Sequence, residues 1–143
     1  MNTIVIYDSQ HGNTEQIARM IGKTLDAEVQ PITTMEAKQL VGRDLIVIGS
    51  PTHGGFPTEE IHKLVKDAGT IRDQRTAAFD TRTKKTVFGY AAPKMGRGLQ
   101  RSGAVLIAKP EGFFVSGIKG PLLEGELKRA AVWAEHLKEL FSR

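Results

Sequence analysis

Residues 9–14 have side chains and spacing that suit a bound phosphate; in order they are Ser9, Gln10, His11, Gly12, Asn13 and Thr14. A β-branched stretch precedes them and a helical pattern follows, which predicts a helix N-terminus with unpaired N–H groups. Gly12 lets the backbone approach a ligand closely. The segment lacks the lysine of NTPase phosphate loops and the glycine spacing of dinucleotide folds. These neutral donors favour a monoester phosphate, and an ordinary β–α turn is the alternative.

Short β-branched runs alternate with helical patterns along the whole chain, which is typical of β–α–β units around a parallel sheet. The patterns predict strands over residues 3–7, 28–33, 45–48, 76–79 and 104–108, with a further apolar piece at 113–115. They predict helices over residues 13–25, 33–42, 57–69, 92–101 and 127–141. Asn13 with Gln16, and Thr33 with Glu36, have the spacing of capping boxes. We therefore expect one three-layer, doubly wound α/β domain over residues 1–143, with a five-stranded parallel sheet.

Two more polar segments follow predicted strands, and the first of them contains two glycines. The segment after the third strand contains Pro51, Thr52, His53, Gly54, Gly55 and Phe56, and the segment after the fourth contains Asp80, Thr81 and Arg82. In an open α/β sheet, ligands bind in the crevice at the carboxyl ends of the strands. We therefore expect residues 9–14, 51–56 and 80–82 to form one site.

These three segments resemble those of the flavodoxin family. Residues 9–14 are similar to the family's Ser/Thr-x-Thr-Gly-Asn-Thr loop, with His11 in place of the usual threonine. The resemblance covers nearly the whole chain and implies the strand order 2-1-3-4-5 and the cofactor FMN. It implies that residues 9–14 bind the FMN phosphate, residues 52–56 line one side of the isoalloxazine, and residues 80–82 hold the other side. A glycine such as Gly54 or Gly55 would then let a peptide turn toward flavin N5 on reduction.

The segments also depart from the family pattern. Family carriers often cover each face of the flavin with an aromatic ring, and Phe56 is one candidate, but residues 80–82 contain no aromatic. Phe88 and Tyr90 come later in the chain, but neither is at the position of the aromatic residue in the family's third loop. Two functions stay open on this evidence: an electron carrier between redox proteins, and an FMN-dependent reductase or oxidase of a quinone or porphyrinogen. A phosphorylated receiver domain has the same fold, but Ser50 lies where it needs an aspartate.

Basic residues are concentrated near the predicted site, in a chain of net charge +4. No acidic residue lies between Asp80 and Glu111, and the interval contains seven basic ones: Arg82, Lys84, Lys85, Lys94, Arg97, Arg101 and Lys109. They form either a solvated surface or a region that attracts an anionic ligand or an acidic redox partner. No aromatic pattern accompanies them, so nucleic-acid binding is not expected.

Composition excludes several other functions. The chain has no cysteine, which excludes thiol catalysis and Cys-ligated iron–sulfur or zinc sites. Its histidines and carboxylates lack metal-ligand spacing. The apolar runs fall far short of the ~20 residues that cross a bilayer, and residues 1–7 lack a secretory pattern. We therefore expect a cytoplasmic protein without a membrane span, and the sequence leaves the oligomeric state open.

Overall fold

A parallel sheet forms the centre of the computed structural model, which describes residues 1–142. Its strands are β1 (Thr3–Tyr7), β2 (Glu28–Pro31), β3 (Leu45–Pro51), β4 (Arg75–Arg82), β5 (Val105–Leu106) and β6 (Glu111–Phe114). The order is β2-β1-β3-β4-β5, and β6 also pairs with β4. Because β5 pairs with the start of β4 and β6 with its end, the two form one interrupted edge strand. The predicted strand order is confirmed.

Helices cover both faces of the sheet. They are α1 (Asn13–Leu25), α2 (Glu59–Lys66), α3 (Ala68–Ile71), α4 (Ala91–Arg101) and α5 (Glu126–Phe141), with 3₁₀ turns at Ile32–Thr34 and Ala37–Leu40. One buried cluster packs α1 and α5 against one face of the sheet, and the other packs α2 and α4 against the opposite face. Phe79, Phe113 and Trp133 pack edge to face in the first cluster, with ring centres 6.1 Å apart. The three-layer α/β fold is confirmed.

Several predicted boundaries are wrong, for local reasons. Gly12, in the left-handed region at φ 87°, and not Asn13, is the N-cap residue of α1. The predicted helix over 33–42 is instead the two 3₁₀ turns, and a capping box joins Glu36 to Gln39. Gly69 lies inside α3 rather than ending α2. Most importantly for the site, β4 continues to Arg82, so Asp80, Thr81 and Arg82 lie in a strand and not in a loop.

Candidate functional site

A cavity of about 480 Å³ opens where β1, β3 and β4 end. This volume is within the range of small-molecule sites. Its wall brings together most of the predicted residues: Ser9, Gln10, His11, Asn13, Thr14, Pro51, Thr52, His53, Gly54, Gly55, Thr81 and Arg82. Gly12, Phe56 and Asp80 are not part of the wall. The three segments therefore meet at one edge of the sheet, as the strand order requires.

The first segment folds around the hydroxyl of Ser9. Its Oγ accepts hydrogen bonds from the N–H of Gly12 at 3.1 Å and from the N–H of Glu15 at 3.3 Å. The positive φ of Gly12 turns the chain directly into α1. As a result, Asn13 and Thr14 lie in the cavity wall, on the first turn of a 13-residue helix. N–H groups in a first helical turn have no intrahelical partner and attract anions.

Two contacts fix this helix N-terminus to the rest of the sheet. The hydroxyls of Thr14 and Thr81 lie 2.8 Å apart and are buried, which links α1 to β4. The amide of Asn13 packs so closely against Gly120 that a side chain at position 120 would collide with it. The N-terminal end of α1 is therefore held in place by contacts within the protein.

The second segment makes a tight hairpin turn. The backbone N–H of His53 donates to the Phe56 carbonyl at 2.8 Å, and the N–H of Phe56 donates to the His53 carbonyl at 2.9 Å. Gly54 and Gly55 both have positive φ, 56° and 86°, as a two-residue type I′ turn requires. His53 and the two glycines of this turn line the cavity, and Phe56 does not.

Lys94 of α4 ties this turn to the segment that follows β4. Its ammonium donates to the Gly55 carbonyl at 2.6 Å and to the Phe88 carbonyl at 2.8 Å. Gly55 lies so close to the backbone of Phe88 that any side chain there would collide with it. The two walls of the cavity are therefore connected at their tips.

Asp80 and Arg82 form an ion pair in which Arg82 lines the cavity and Asp80 is fully buried behind it. The guanidinium Nε and Nη2 of Arg82 donate to the two carboxylate oxygens of Asp80 at 2.7 and 2.8 Å. The backbone N–H of Ala92, at the start of α4, donates to the same carboxylate at 2.8 Å. Burial raises the pKa of the Asp80 carboxyl, while the hydrogen bonds and positive charge of Arg82 oppose that rise. Asp80 holds its neighbours and does not line the cavity.

Residues outside the three predicted segments complete the wall. They are Thr83, Lys85, Thr86, Val87, Phe88, Tyr90, Val115 and Ile118. Phe88 and Tyr90 thus reach the cavity although they are out of register with the family's third loop. The fold of the intervening turn explains this, because Thr86 Oγ donates to the Gly89 carbonyl and the Tyr90 hydroxyl donates to the Lys84 carbonyl. No sequence signal predicted the contribution of Val115 and Ile118.

The basic side chains in this wall belong to His11, His53, Arg82 and Lys85. Within residues 1–142, no carboxylate lines the cavity, and no group of three or more potential ligands is placed to hold a metal ion. The wall combines hydroxyl groups and basic side chains with glycine and aromatic residues. An anionic ligand with a flat ring system matches this combination.

Comparison with known proteins agrees with this geometry. The chain belongs to the flavodoxin family, because the model of the flavodoxin domain matches residues 4–113. Flavodoxin 2 from Bacillus cereus has a similar structure, with a TM-score of 0.82 and 24% identity over 97% of this chain and 99% of that one. A flavodoxin from the domain Archaea gives a TM-score of 0.82 at 18% identity, covering 100% of both chains. A search of curated proteins gave no match.

Family membership makes this chain an FMN-binding electron-transfer protein. The residues in the wall fit FMN: the first turn of α1 provides donors for a phosphate, and aromatic residues and glycines line the same cavity. In residues 1–142, no helix is long and apolar enough to cross a membrane.

Proposed function

We propose that this protein is a single-domain cytoplasmic carrier that accepts electrons from one redox protein and passes them to another through bound FMN. The observation that best supports the proposal is the convergence of three strand ends and the α1 N-terminus on one cavity without a carboxylate in its described wall. Bound FMN would supply the redox chemistry. The chain's own residues bind it, exclude water from it and set the charge around it.

In this proposal each wall holds a different part of FMN. Residues 9–14 bind the phosphate through the α1 N-terminus, and residues 51–55 lie along one side of the isoalloxazine. The carbonyl of Gly55 is already held by Lys94. The peptide free to turn toward flavin N5 is therefore that of Gly54, where a Cβ would meet open space. Residues 81–90 lie along the other side, with Phe88 and Tyr90 as its aromatic surface.

The mouth of the cavity has the chemistry of a docking surface for an acidic partner. Val87, Phe88 and Ile118 line the cavity and are 91%, 67% and 82% exposed. The basic residues Lys84 and Lys85 precede Val87 by three and two positions in the chain, and both are exposed. Protein interfaces commonly combine an apolar centre with a charged rim, and charge complementarity mainly raises the association rate. We infer that an acidic redox protein docks here, next to the cofactor.

No observation favours the alternative, a reductase or oxidase of a quinone or porphyrinogen. A carrier and a reductase differ in what reoxidises the loaded protein. Rapid steady-state turnover of a quinone would support a reductase, and electron transfer to proteins without such turnover supports a carrier.

The experiment uses reduced, FMN-loaded protein and follows reoxidation by stopped-flow absorbance with two probes, an acidic rubredoxin and a basic cytochrome c. We expect faster association with the acidic probe, and a loss of that advantage when ionic strength rises from about 0.02 to about 0.2 M. Lys84→Glu/Lys85→Glu should lower the rate of reoxidation by the acidic probe at least tenfold. The matched control is Lys23→Glu/Lys66→Glu, at the far ends of α1 and α2. Equal rates for both probes, or equal effects of both double variants, would contradict the acidic-partner proposal.

A further inference from the structure

Residues 115–122, which follow β6, form a closed turn beside the cavity. Val115 and Leu122 pair at its base as an isolated antiparallel bridge. Near its tip, the hydroxyl of Ser116 donates a hydrogen bond to the Gly120 carbonyl at 2.9 Å. The turn is therefore shaped by contacts within itself.

The base of this turn is anchored on both sides. The N–H of Leu123 donates to the Phe114 carbonyl at 2.9 Å, and the N–H of Phe114 donates to the carboxylate of Glu126 at 2.7 Å. Glu126 lies in the first turn of α5, is only 5% exposed, and pairs with Arg129 at 2.6 Å. The turn is therefore attached to both β6 and α5.

The tip of the turn touches the first turn of α1. A Cβ at position 120 would lie 2.5 Å from Oδ1 and 2.7 Å from Nδ2 of Asn13. Asn13 lines the cavity and is only 7% exposed. Its amide has no hydrogen-bond partner among residues 1–142. Buried polar side chains usually have a partner, and a ligand phosphate would supply acceptors for this amide.

The turn lies outside the pattern that predicted the other three segments of the site. The match to the flavodoxin domain ends at residue 113, and yet Val115 and Ile118 line the cavity. The position of Gly120 also limits its residue type. Its φ is 92°, which favours glycine, and any Cβ would displace the Asn13 amide.

We propose that residues 115–122 form a fourth wall of the FMN site, in which Gly120 is a positioning residue that holds the Asn13 amide where it donates to the FMN phosphate. This inference rests on the proposed function. Gly120 acts through Asn13 and not on the ligand itself. A change at position 120 should therefore alter the affinity for the phosphate and leave the affinity for the ring system nearly unchanged.

The test compares the Kd of FMN with the Kd of riboflavin, which lacks the phosphate, by quenching of flavin fluorescence. Gly120→Ala should raise the Kd of FMN about tenfold or more, as expected when one hydrogen bond to a charged group is lost. The Kd of riboflavin should rise less than about twofold. Gly42→Ala is the matched control. Gly42 also has a positive φ, 75°, a Cβ there would meet open space, and the residue precedes β3, whose other end borders the cavity.

A double variant tests the contact between Gly120 and Asn13. Asn13→Ala removes the amide that Gly120→Ala would displace. In Asn13→Ala/Gly120→Ala, the second substitution should therefore cause no further loss of FMN affinity relative to riboflavin. Losses that multiply would show that the two residues act independently, and would overturn the positioning role.

A spectroscopic readout separates this role from a purely structural one. The ³¹P NMR shift of bound FMN reports the surroundings of its phosphate. It should change in Gly120→Ala and stay as in the wild type in Gly42→Ala, while the visible absorption spectrum of the flavin stays the same in both variants. A general loosening of the fold would not move the phosphate signal alone.

A milder variant keeps the proposal testable if Gly120→Ala does not fold. Ser116→Ala removes only the exposed hydroxyl that donates to the Gly120 carbonyl. It should weaken FMN binding relative to riboflavin about threefold, as expected for one neutral hydrogen bond. The matched control is Ser142→Ala, because the hydroxyl of Ser142 is also exposed and donates to carbonyls at the end of α5.

The outcomes separate the two claims. A wild-type protein that takes up no FMN would overturn the proposed function itself. If the wild type binds FMN, but neither Gly120→Ala nor Ser116→Ala changes the ratio of FMN to riboflavin affinity, only the role of Gly120 is overturned. An equal change of this ratio in Gly42→Ala would also overturn that role alone.

Discussion

The ammonium nitrogen of Lys94 lies 3.7 Å from the centre of the Phe56 ring. The same ammonium donates hydrogen bonds to the carbonyls of Gly55 and Phe88. Phe56 is 55% exposed and lies outside the cavity wall. The phenylalanine therefore contacts the residue that joins the two loops, and its direct contact with FMN stays a prediction.

Replacing Lys94 should loosen both loops at once. Lys94→Met keeps the apolar stem but removes three contacts of the ammonium, so we expect FMN affinity to fall about tenfold or more, which is about 1.4 kcal/mol of binding free energy. The measurement is quenching of FMN fluorescence, with limited proteolysis of the apoprotein as a readout of loop order. Lys66→Met, an exposed lysine at the end of α2, is the control for lost charge. If Lys94→Met bound FMN with wild-type affinity, the contacts of Lys94 with the two loops would not be needed for binding.

A negative charge in the first turn of α1 should discriminate between FMN and riboflavin. Asn13→Asp puts a carboxylate where the phosphate is expected, and repulsion should lower FMN affinity by about tenfold or more. Riboflavin lacks the phosphate, so its affinity should change less than about twofold. Titrations with both ligands, together with thermal unfolding of the apoprotein, check this. Equal losses for the two ligands would show that residues 9–14 do not bind the phosphate.

The two glycines of the hairpin turn should respond differently to alanine. Gly54→Ala adds a Cβ in open space, and its positive φ should cost about 1–2 kcal/mol. Gly55→Ala has the same backbone penalty and also drives a Cβ into the backbone of Phe88, so it should lower the free energy of unfolding by about 1–3 kcal/mol more. Chemical denaturation of both variants measures the difference. Equal losses would contradict the close approach of the two loops.

The buried carboxyl of Asp80 should make stability depend on pH. Its pKa in the folded protein is raised above the ordinary value of 3.8 by burial. The native state therefore holds a proton that the unfolded chain has already lost, and stability falls as pH rises between these two pKa values. Relative to Asp80→Asn, the wild type should lose up to about 1.4 kcal/mol of its free energy of unfolding per pH unit in that window. Denaturant titrations measure this free energy for both proteins. The prediction is contradicted if the wild type's free energy of unfolding minus that of Asp80→Asn is constant with pH or rises with pH.

The sequence predicted best what depends on local pattern. The strand Thr3–Tyr7 and the helix Asn13–Leu25 have the predicted bounds, because an apolar β-branched run and a helical apolar stripe specify them directly. The strand order came from a resemblance, since periodicity does not encode which strands are neighbours. The predicted end of β4 was wrong because Asp80 and Arg82 are polar, and only the folded structure shows that they pair with each other inside the sheet.

The aromatic part of the site depends on tertiary contacts. Tyr90 reaches the cavity because Arg82 supports its ring and the Lys84 carbonyl accepts from its hydroxyl. Both partners precede Tyr90 by six or more positions, so no motif of the family's third loop includes them. Ile118 lines the cavity from the connection between β6 and α5. Such contacts arise from the packing of irregular segments and leave no periodic signal.

The most direct test of the central claim is uptake of FMN by the purified apoprotein. We predict binding of about one FMN per chain, with quenched flavin fluorescence and a visible absorption spectrum that is bleached by dithionite and restored by a protein oxidant. Riboflavin should bind more weakly than FMN, since the α1 N-terminus then lacks its phosphate. A folded protein that leaves FMN fluorescence unchanged at concentrations of about 0.1 mM, which corresponds to a binding free energy weaker than about −5.5 kcal/mol, would contradict the account.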